Sequence, residues 1–258
     1  MLASWIALHN AASRYFFALG WEQVADRGDQ HDWQSPTSGV AGTSSAKSAT
    51  VYPPSEDGDD ETPRRERCAA GVDLINTVMP EFKRMHDMTV DHAHEEIQLL
   101  ANDISGMLFE TTYRIPSFAA HYKAHDQSAS YRHMRRQLQA MRWLRPGAGS
   151  RWVLKSPQHL EQFGPLSTVF PDATVVVTHR DPAEVVVSMA TMIAYVARVH
   201  VEAPDPVAIG RHWSGVLVEM LGACVSDRGL LADERSTDIR FEDFMADEAA
   251  TVSAVYRL

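Results

Sequence analysis

Arg180 and Ser188 stand eight positions apart in Thr178-His179-Arg180-Asp181-Pro182-Ala183-Glu184-Val185-Val186-Val187-Ser188, and both side chains have the chemistry to hold a phosphate. A guanidinium grips an oxyanion through two parallel hydrogen bonds, and a serine hydroxyl adds a third donor. Lys155, in Lys155-Ser156-Pro157, is a second cation placed after an apolar run. The same residues also fit a capped turn with a surface arginine and a helix serine bonded to its own backbone. Spacing alone does not separate the two readings.

The elements that must position these residues are short and buried. Arg151 to Leu154 is an apolar run bounded by Pro146 and Gly149 before it and by Ser156-Pro157 after it, which predicts a strand. Pro171-Asp172 marks a turn, and Ala173 to Thr178 carries three consecutive valines. Such an unalternated β-branched run fits a parallel strand covered on both faces. Asp181 then reads as an N-cap, with Pro182 at the first helical position and Glu184 reaching back. Arg180 therefore falls where a strand ends and a helix begins, the place where open parallel α/β sheets bind ligands. Lys155 ends the neighbouring strand and is expected on the same rim. Thr237 to Phe241 reads as a third strand, so the expectation is a small parallel sheet built on 151–155, 174–178 and 237–241.

Composition narrows the function classes. The chain has 34 Asp and Glu against 24 Lys and Arg, a formal net charge of −10, which argues against a nucleic-acid partner because a phosphate backbone requires a basic face. Two cysteines, Cys68 and Cys224, form neither a paired metal motif nor a disulfide framework, as expected in a reducing cytoplasm. Met1 to Gly20 is apolar but interrupted by His9, Asn10, Ser13 and Arg14, so it reads as an amphipathic helix and not as a transmembrane segment or signal peptide.

Asp26 to Glu61 is rich in Ser, Thr, Gly, Asp and Pro and is expected to be a flexible loop. Thr62-Pro63 opens a helix whose Cys68, Val72, Ile75 and Met79 share a face before Pro80. A second helix is expected to carry Ile97, Leu100, Ile104 and Met107, and a third Tyr131, Met134, Leu138 and Met141. Beyond Pro204-Asp205-Pro206, a further helix shows Trp213, Leu217, Met220 and Cys224 on one face, expected to pack on the sheet. His86, Asp87, Asp91, His92, His94, Glu95 and Glu96 lie close in sequence, yet no spacing among them fixes three ligands, and no metal is expected. Glu95 and Glu96 also fit the first turn of a helix, where they complement its dipole.

The Lys155-Ser156-Pro157 and Thr178-His179-Arg180-Asp181-Pro182 segments together resemble the sulfotransferase family that uses 3′-phosphoadenosine 5′-phosphosulfate, in its bacterial-type branch. The resemblance runs from Pro63 to Leu258 and includes Ile239-Arg240-Phe241-Glu242-Asp243-Phe244, similar to the family's Arg-Tyr-Glu-Asp-Leu. It implies a P-loop-NTPase-like three-layer α/β fold with a small parallel sheet and a large helical insert. The chain would be a single domain, with 26–61 the loop, 63–145 the insert walling the acceptor pocket, and 151–258 the cofactor-binding part. Arg180 and Ser188 match the residues that hold the cofactor's 3′-phosphate, and Lys155 matches the lysine near the sulfuryl group. Leu8-His9-Asn10 and Trp21-Glu22 are similar to the family's first helix and the Trp-Glu after it, making Glu22 the matched general base and Glu95 or Glu96 the fallback.

The expected activity is sulfuryl transfer to a hydroxyl or amine of a small-molecule acceptor, with the phosphosulfate as co-substrate. One family feature is absent from the sequence. No Pro-Arg-Ser/Thr-Gly-Thr-Thr segment is present to cradle the 5′-phosphosulfate on backbone amides, and Gly39 to Ser45 follows no predicted strand and carries no basic residue. The resemblance thus implies a chain incomplete at both ends and a poor enzyme, with an unpaired strand edge that favours oligomers. The alternative is a non-catalytic nucleotide- or protein-binding relative of a sulfotransferase.

Overall fold

The structure, a computed structural model, describes residues 21–23, 62–86, 89–90, 95–144 and 152–258. The N-terminal helix, the 26–61 loop with Gly39 to Ser45, and His92 and His94 lie outside these residues. A short strand β1 (Trp21–Gln23) precedes the helices α1 (Thr62–Val78), α2 (Phe82–Met85), α3 (Ile97–Ala101), α4 (Leu108–Thr112), α5 (Pro116–Ala124) and α6 (Ser128–Leu144). Then come β2 (Trp152–Leu154), a 3₁₀ turn (Pro157–Glu161), α7 (Phe163–Val169), β3 (Val175–His179) and α8 (Pro182–Ala197). The chain continues with α9 (Pro206–Asp227), β4 (Ser236–Arg240), α10 (Phe241–Ala246) and α11 (Glu248–Val255). The class is α/β, mainly helical with a small parallel sheet.

β3 carries the core on both faces. Val175 and Val177 sit in one apolar cluster with Phe163, Leu166 and Leu154, while Val176 sits in another with Ile239 and Phe244. A strand buried on both sides has no polar face, which is why its valines run without alternation. β4 pairs with β3 in parallel, from Val175 opposite Ser236 to His179 opposite Arg240. The two strands therefore end at the same level, and the turns that follow them emerge side by side.

β2 departs from the expected sheet. It pairs antiparallel with β1, Glu22 standing opposite Val153, and is not hydrogen-bonded to β3. β1 also lies against β3. The pairing edge of β2 is thus taken by Trp21–Gln23, a segment of three residues, too short to display an alternating pattern in the sequence.

The insert also differs from expectation at its second helix. Ile97, Leu100 and Met107 are buried, but α3 stops at Ala101 and Ile104 is left 69% exposed. Ser105 N–H bonds back to the Leu100 carbonyl at 3.1 Å and Ile104 N–H to that of Ala101 at 3.0 Å, with Ile104 at φ 53°. This is the Schellman ending, with isoleucine where glycine is usual. Gly106 then lets the chain double back, since a Cβ there would stand 3.0 Å from the Ile97 carbonyl oxygen. On α6, in contrast, Tyr131, Met134 and Leu138 are all buried, as their spacing predicts.

α9 buries Trp213, Leu217, Met220 and Cys224. Its main partner is α8 with the 3₁₀ turn, and not the sheet: Trp213, Leu217 and Met220 cluster with Ile193, Val185, Val186 and Met189 of α8. Only Cys224 reaches the cluster of β3. The hydroxyl of Tyr195 on α8 accepts the Glu81 N–H at 3.0 Å, which ties the N-terminal side of α2 to α8.

Candidate functional site

The turn between β3 and α8 is built as its residues dictate. Asp181 caps α8 by accepting the Ala183 N–H at 2.8 Å, and Pro182 occupies the first helical position. Arg180 lies between the end of β3 and that cap, with 19% of its side chain exposed. Its guanidinium carbon stands 4.8 Å from the centroid of the Phe241 ring, the first residue after β4. The parallel register thus brings the two turns together, and a cation rests on an aromatic face.

Glu184 makes a different bond from the one expected. Its Oε2 accepts from Arg180 Nε at 3.2 Å and Nη2 at 2.9 Å, so it holds the guanidinium instead of reaching back to the cap amide. Glu184 and Ser188 are four apart on α8 and share one helix line. Ser188 is half-buried. Among the described residues no hydrogen bond of its hydroxyl is found, whereas Thr191 on the same helix donates to the Val187 carbonyl at 2.7 Å. Arg180 and Glu184 are thus joined at the carboxyl end of β3, and Ser188 follows one turn beyond Glu184 on α8.

Beside this pair, Asp238 of β4 ties the strand ends together. His179 Nε2 lies 2.6 Å from its Oδ1, and Arg228 donates to its Oδ2 at 3.1 and 2.8 Å. Partial burial pushes the Asp238 carboxyl up, but the Arg228 and His179 hydrogen bonds outweigh it and hold the group below the usual carboxylate range.

Lys155 follows β2 and is gripped by two consecutive acids of the insert. Its ammonium pairs with the Glu95 carboxylate, and its backbone N–H donates to Glu96 Oε2 at 2.7 Å. Glu96 is 2% exposed, and its other oxygen bonds His159 Nε2. His159 Nδ1 in turn lies 2.6 Å from the Tyr131 hydroxyl of α6. The neighbouring Gln158, fully buried, accepts the Met107 N–H at 2.9 Å and donates to the Ser105 carbonyl at 2.8 Å. The segment after Lys155 is thereby fastened to the insert at several points.

A second polar patch lies at the end of the 3₁₀ turn. The Tyr122 hydroxyl accepts from Gln162 at 3.0 Å and bonds Glu161. Burial first, with Glu110 and Glu219 adding repulsion, pushes the Glu161 carboxyl upward against the lowering pull of Tyr122 and Lys123. Burial likewise raises the Tyr131 hydroxyl well above its ordinary value, so it stays a donor.

Of the residues singled out in the sequence, the structure puts Lys155 beside Glu95 and Arg180 beside Glu184, with Ser188 further along α8. The side chain of Glu22 lies outside the described residues; its backbone is on β1. Lys155 and Arg180 do not share one hydrogen-bonded rim, because β2 and β3 are not paired. Glu96 caps no amide of α3 and uses both oxygens internally. Sequence reasoning does not single out His159, Gln158 or Tyr122; the only signal is Gln158-His159 directly after Lys155-Ser156-Pro157. Among the described residues no group of three or more His, Cys, Asp or Glu is arranged for a metal ion, and no helix is long and apolar enough to cross a membrane.

A sulfotransferase of Mycobacterium tuberculosis H37Rv, STF1, is similar in structure with a TM-score of 0.66 and 25% identity over 84% of this chain and 60% of that one. The sulfotransferase STF9 of Mycobacterium avium shares the fold with a TM-score of 0.61 and 22% identity over 80% of this chain and 53% of that one. The chain thus spans less than two thirds of the length of either. Among curated proteins there is no match. Residues 43–258 match the Sulfotransferase family, which takes in β2, β3, the Arg180 turn and the whole described insert, and the chain belongs to that family.

Proposed function

We propose that the chain is a single sulfotransferase domain that binds 3′-phosphoadenosine 5′-phosphosulfate and directs its sulfuryl group to a hydroxyl or amine of a small acceptor. The observation that carries the reading is the Arg180 turn: a guanidinium stacked on Phe241 at the carboxyl ends of two parallel strands, with an unspent Ser188 hydroxyl further along α8. In this reading Arg180 and Ser188 take the 3′-phosphate. An arginine fork suits a terminal phosphate because two of its N–H groups meet two oxygens.

Lys155 and Glu95 form the reacting end. Glu95 is the carboxylate set beside Lys155 and is 18% exposed at its side chain, whereas Glu96 is buried and fully engaged. Glu95 accepts the proton of the acceptor O–H. The acceptor oxygen forms the new O–S bond as the bond from sulfur to the 5′-phosphate oxygen breaks, and that electron pair stays on the phosphate. Lys155 offsets the negative charge of the group in flight, which is the larger effect in transfers of this kind. Glu22 is the second candidate for the base, on the family resemblance alone.

The test is binding and turnover together. Calorimetry with adenosine 3′,5′-bisphosphate should show binding that Arg180→Ala weakens, and labelled donor with a panel of hydroxyl acceptors should show slow transfer. Slow transfer is expected because the sequence has no Pro-Arg-x-Gly-Thr-Thr segment for the phosphosulfate. Binding without any transfer would favour the non-catalytic reading, and no binding by wild type would end both.

A further inference from the structure

We propose that the buried chain Tyr131–His159–Glu96 is a positioning device for Lys155, and that Tyr131 and His159 set the geometry of the sulfuryl end of the site without touching substrate. The inference rests on the assignment of Lys155 to that end.

Three separate segments converge here. α6 of the insert brings Tyr131, the 3₁₀ turn brings His159, and the stretch just before α3 brings Glu95 and Glu96. Tyr131 and His159 are 0% exposed and Glu96 is 2% exposed. A carboxylate taken so far from water is costly unless its lone pairs are met. Glu96 meets them with the imidazole on one oxygen and the Lys155 N–H on the other. The pattern closes when Tyr131 O–H donates to Nδ1 and Nε2–H donates to the carboxylate.

The end point of the chain is what separates positioning from plain cohesion. Apolar side chains of similar volume fill such a space with equal or better stability, so a buried polar chain is poor evidence for stability alone. This one terminates on the backbone of the residue whose ammonium meets Glu95. Glu95 and Glu96, adjacent in sequence, thus hold the two ends of Lys155, and His159 with Tyr131 fixes where that grip sits relative to the insert. Directed hydrogen bonds define a position more sharply than apolar packing, and reacting groups misplaced by about 1 Å lose roughly 10²-fold in rate.

The experiment compares the affinities of 3′-phosphoadenosine 5′-phosphosulfate and adenosine 3′-phosphate by calorimetry, whose ratio isolates the phosphosulfate end. Lys155→Ala should cut that ratio about tenfold. Tyr131→Phe, which removes one hydroxyl, and Glu96→Gln, which keeps the shape, should each cut it about fivefold while leaving adenosine 3′-phosphate binding and the circular dichroism spectrum as in wild type. If Lys155→Ala cuts the ratio and both network variants, folded, leave it within about twofold of wild type, the chain is structural only and the proposal is overturned. If Lys155→Ala itself changes nothing while Arg180→Ala weakens both ligands, the placing of Lys155 fails and takes this proposal with it, leaving the 3′-phosphate site standing.

Discussion

One oxygen of Glu184, Oε2, accepts from both Nε and Nη2 of Arg180, at 3.2 and 2.9 Å, so the guanidinium that would receive a phosphate already holds a carboxylate. An anion arriving at Arg180 must displace that oxygen. The pair is partly exposed, and such pairs contribute about 0.2–1 kcal/mol. Glu184→Gln should therefore tighten binding of adenosine 3′,5′-bisphosphate by that amount, read by calorimetry at low salt. Weaker binding by Glu184→Gln would show that Glu184 aligns the guanidinium more than it competes for it.

Arg180→Ala should weaken the same nucleotide by about 1.5–3 kcal/mol, the range for a lost charge-assisted hydrogen bond. Ser188→Ala should have a smaller effect, since a neutral hydroxyl contributes about 1 kcal/mol. Equal binding by wild type and Arg180→Ala would reduce Arg180 to a capped-turn arginine.

Glu95→Gln should lower turnover by about 10²–10⁴-fold, the range for a lost general base, while leaving adenosine 3′-phosphate binding as in wild type. Steady-state kinetics with a hydroxyl acceptor measures this directly. A variant with unchanged kcat would move the base elsewhere, with Glu22 the next residue to replace.

Ile104→Gly should stabilise the fold by about 1 kcal/mol. Ile104 has φ 53°, a region that disfavours β-branched side chains, and it is 69% exposed, so glycine relieves the backbone and gives up little apolar burial. Urea denaturation reads the change as a higher midpoint with the same slope.

Glu161→Gln should change the pH dependence of stability. Burial raises the Glu161 carboxyl in the folded state, so the folded chain binds that proton more tightly than the unfolded chain does. Wild type is then favoured below the unfolded value and loses that advantage as pH rises through the raised folded value. The glutamine variant lacks this loss and should melt higher than wild type at pH 8, with a flatter profile as pH rises above the ordinary glutamate value.

Strand β3, the Asp181-Pro182 cap and the buried faces of α6 and α9 are legible in the sequence because each is a local pattern of apolar spacing or capping chemistry. The break after α3 is not. Ile97, Leu100, Ile104 and Met107 keep helical spacing straight through a left-handed residue, and no glycine stands at position 104 to announce it. Pairings between distant segments are equally hidden: Lys155 and Glu95 are 60 positions apart, and nothing in either neighbourhood ranks one acid over another as a partner. The same holds for α9, whose apolar face is evident while its packing on α8 is not. His159 is masked by its setting between Gln158 and Leu160 in an otherwise ordinary turn.

The bond from the Lys155 amide to Glu96 spans 59 positions, so it forms only when the start of α3 is docked against the end of β2. Bringing such distant segments together carries a loop-closure entropy that local helices do not face. The Lys155 amide proton is consequently a reporter of docking: its exchange with solvent deuterium requires the Glu96 bond to open, whether the insert lifts from the end of β2 or either part unfolds.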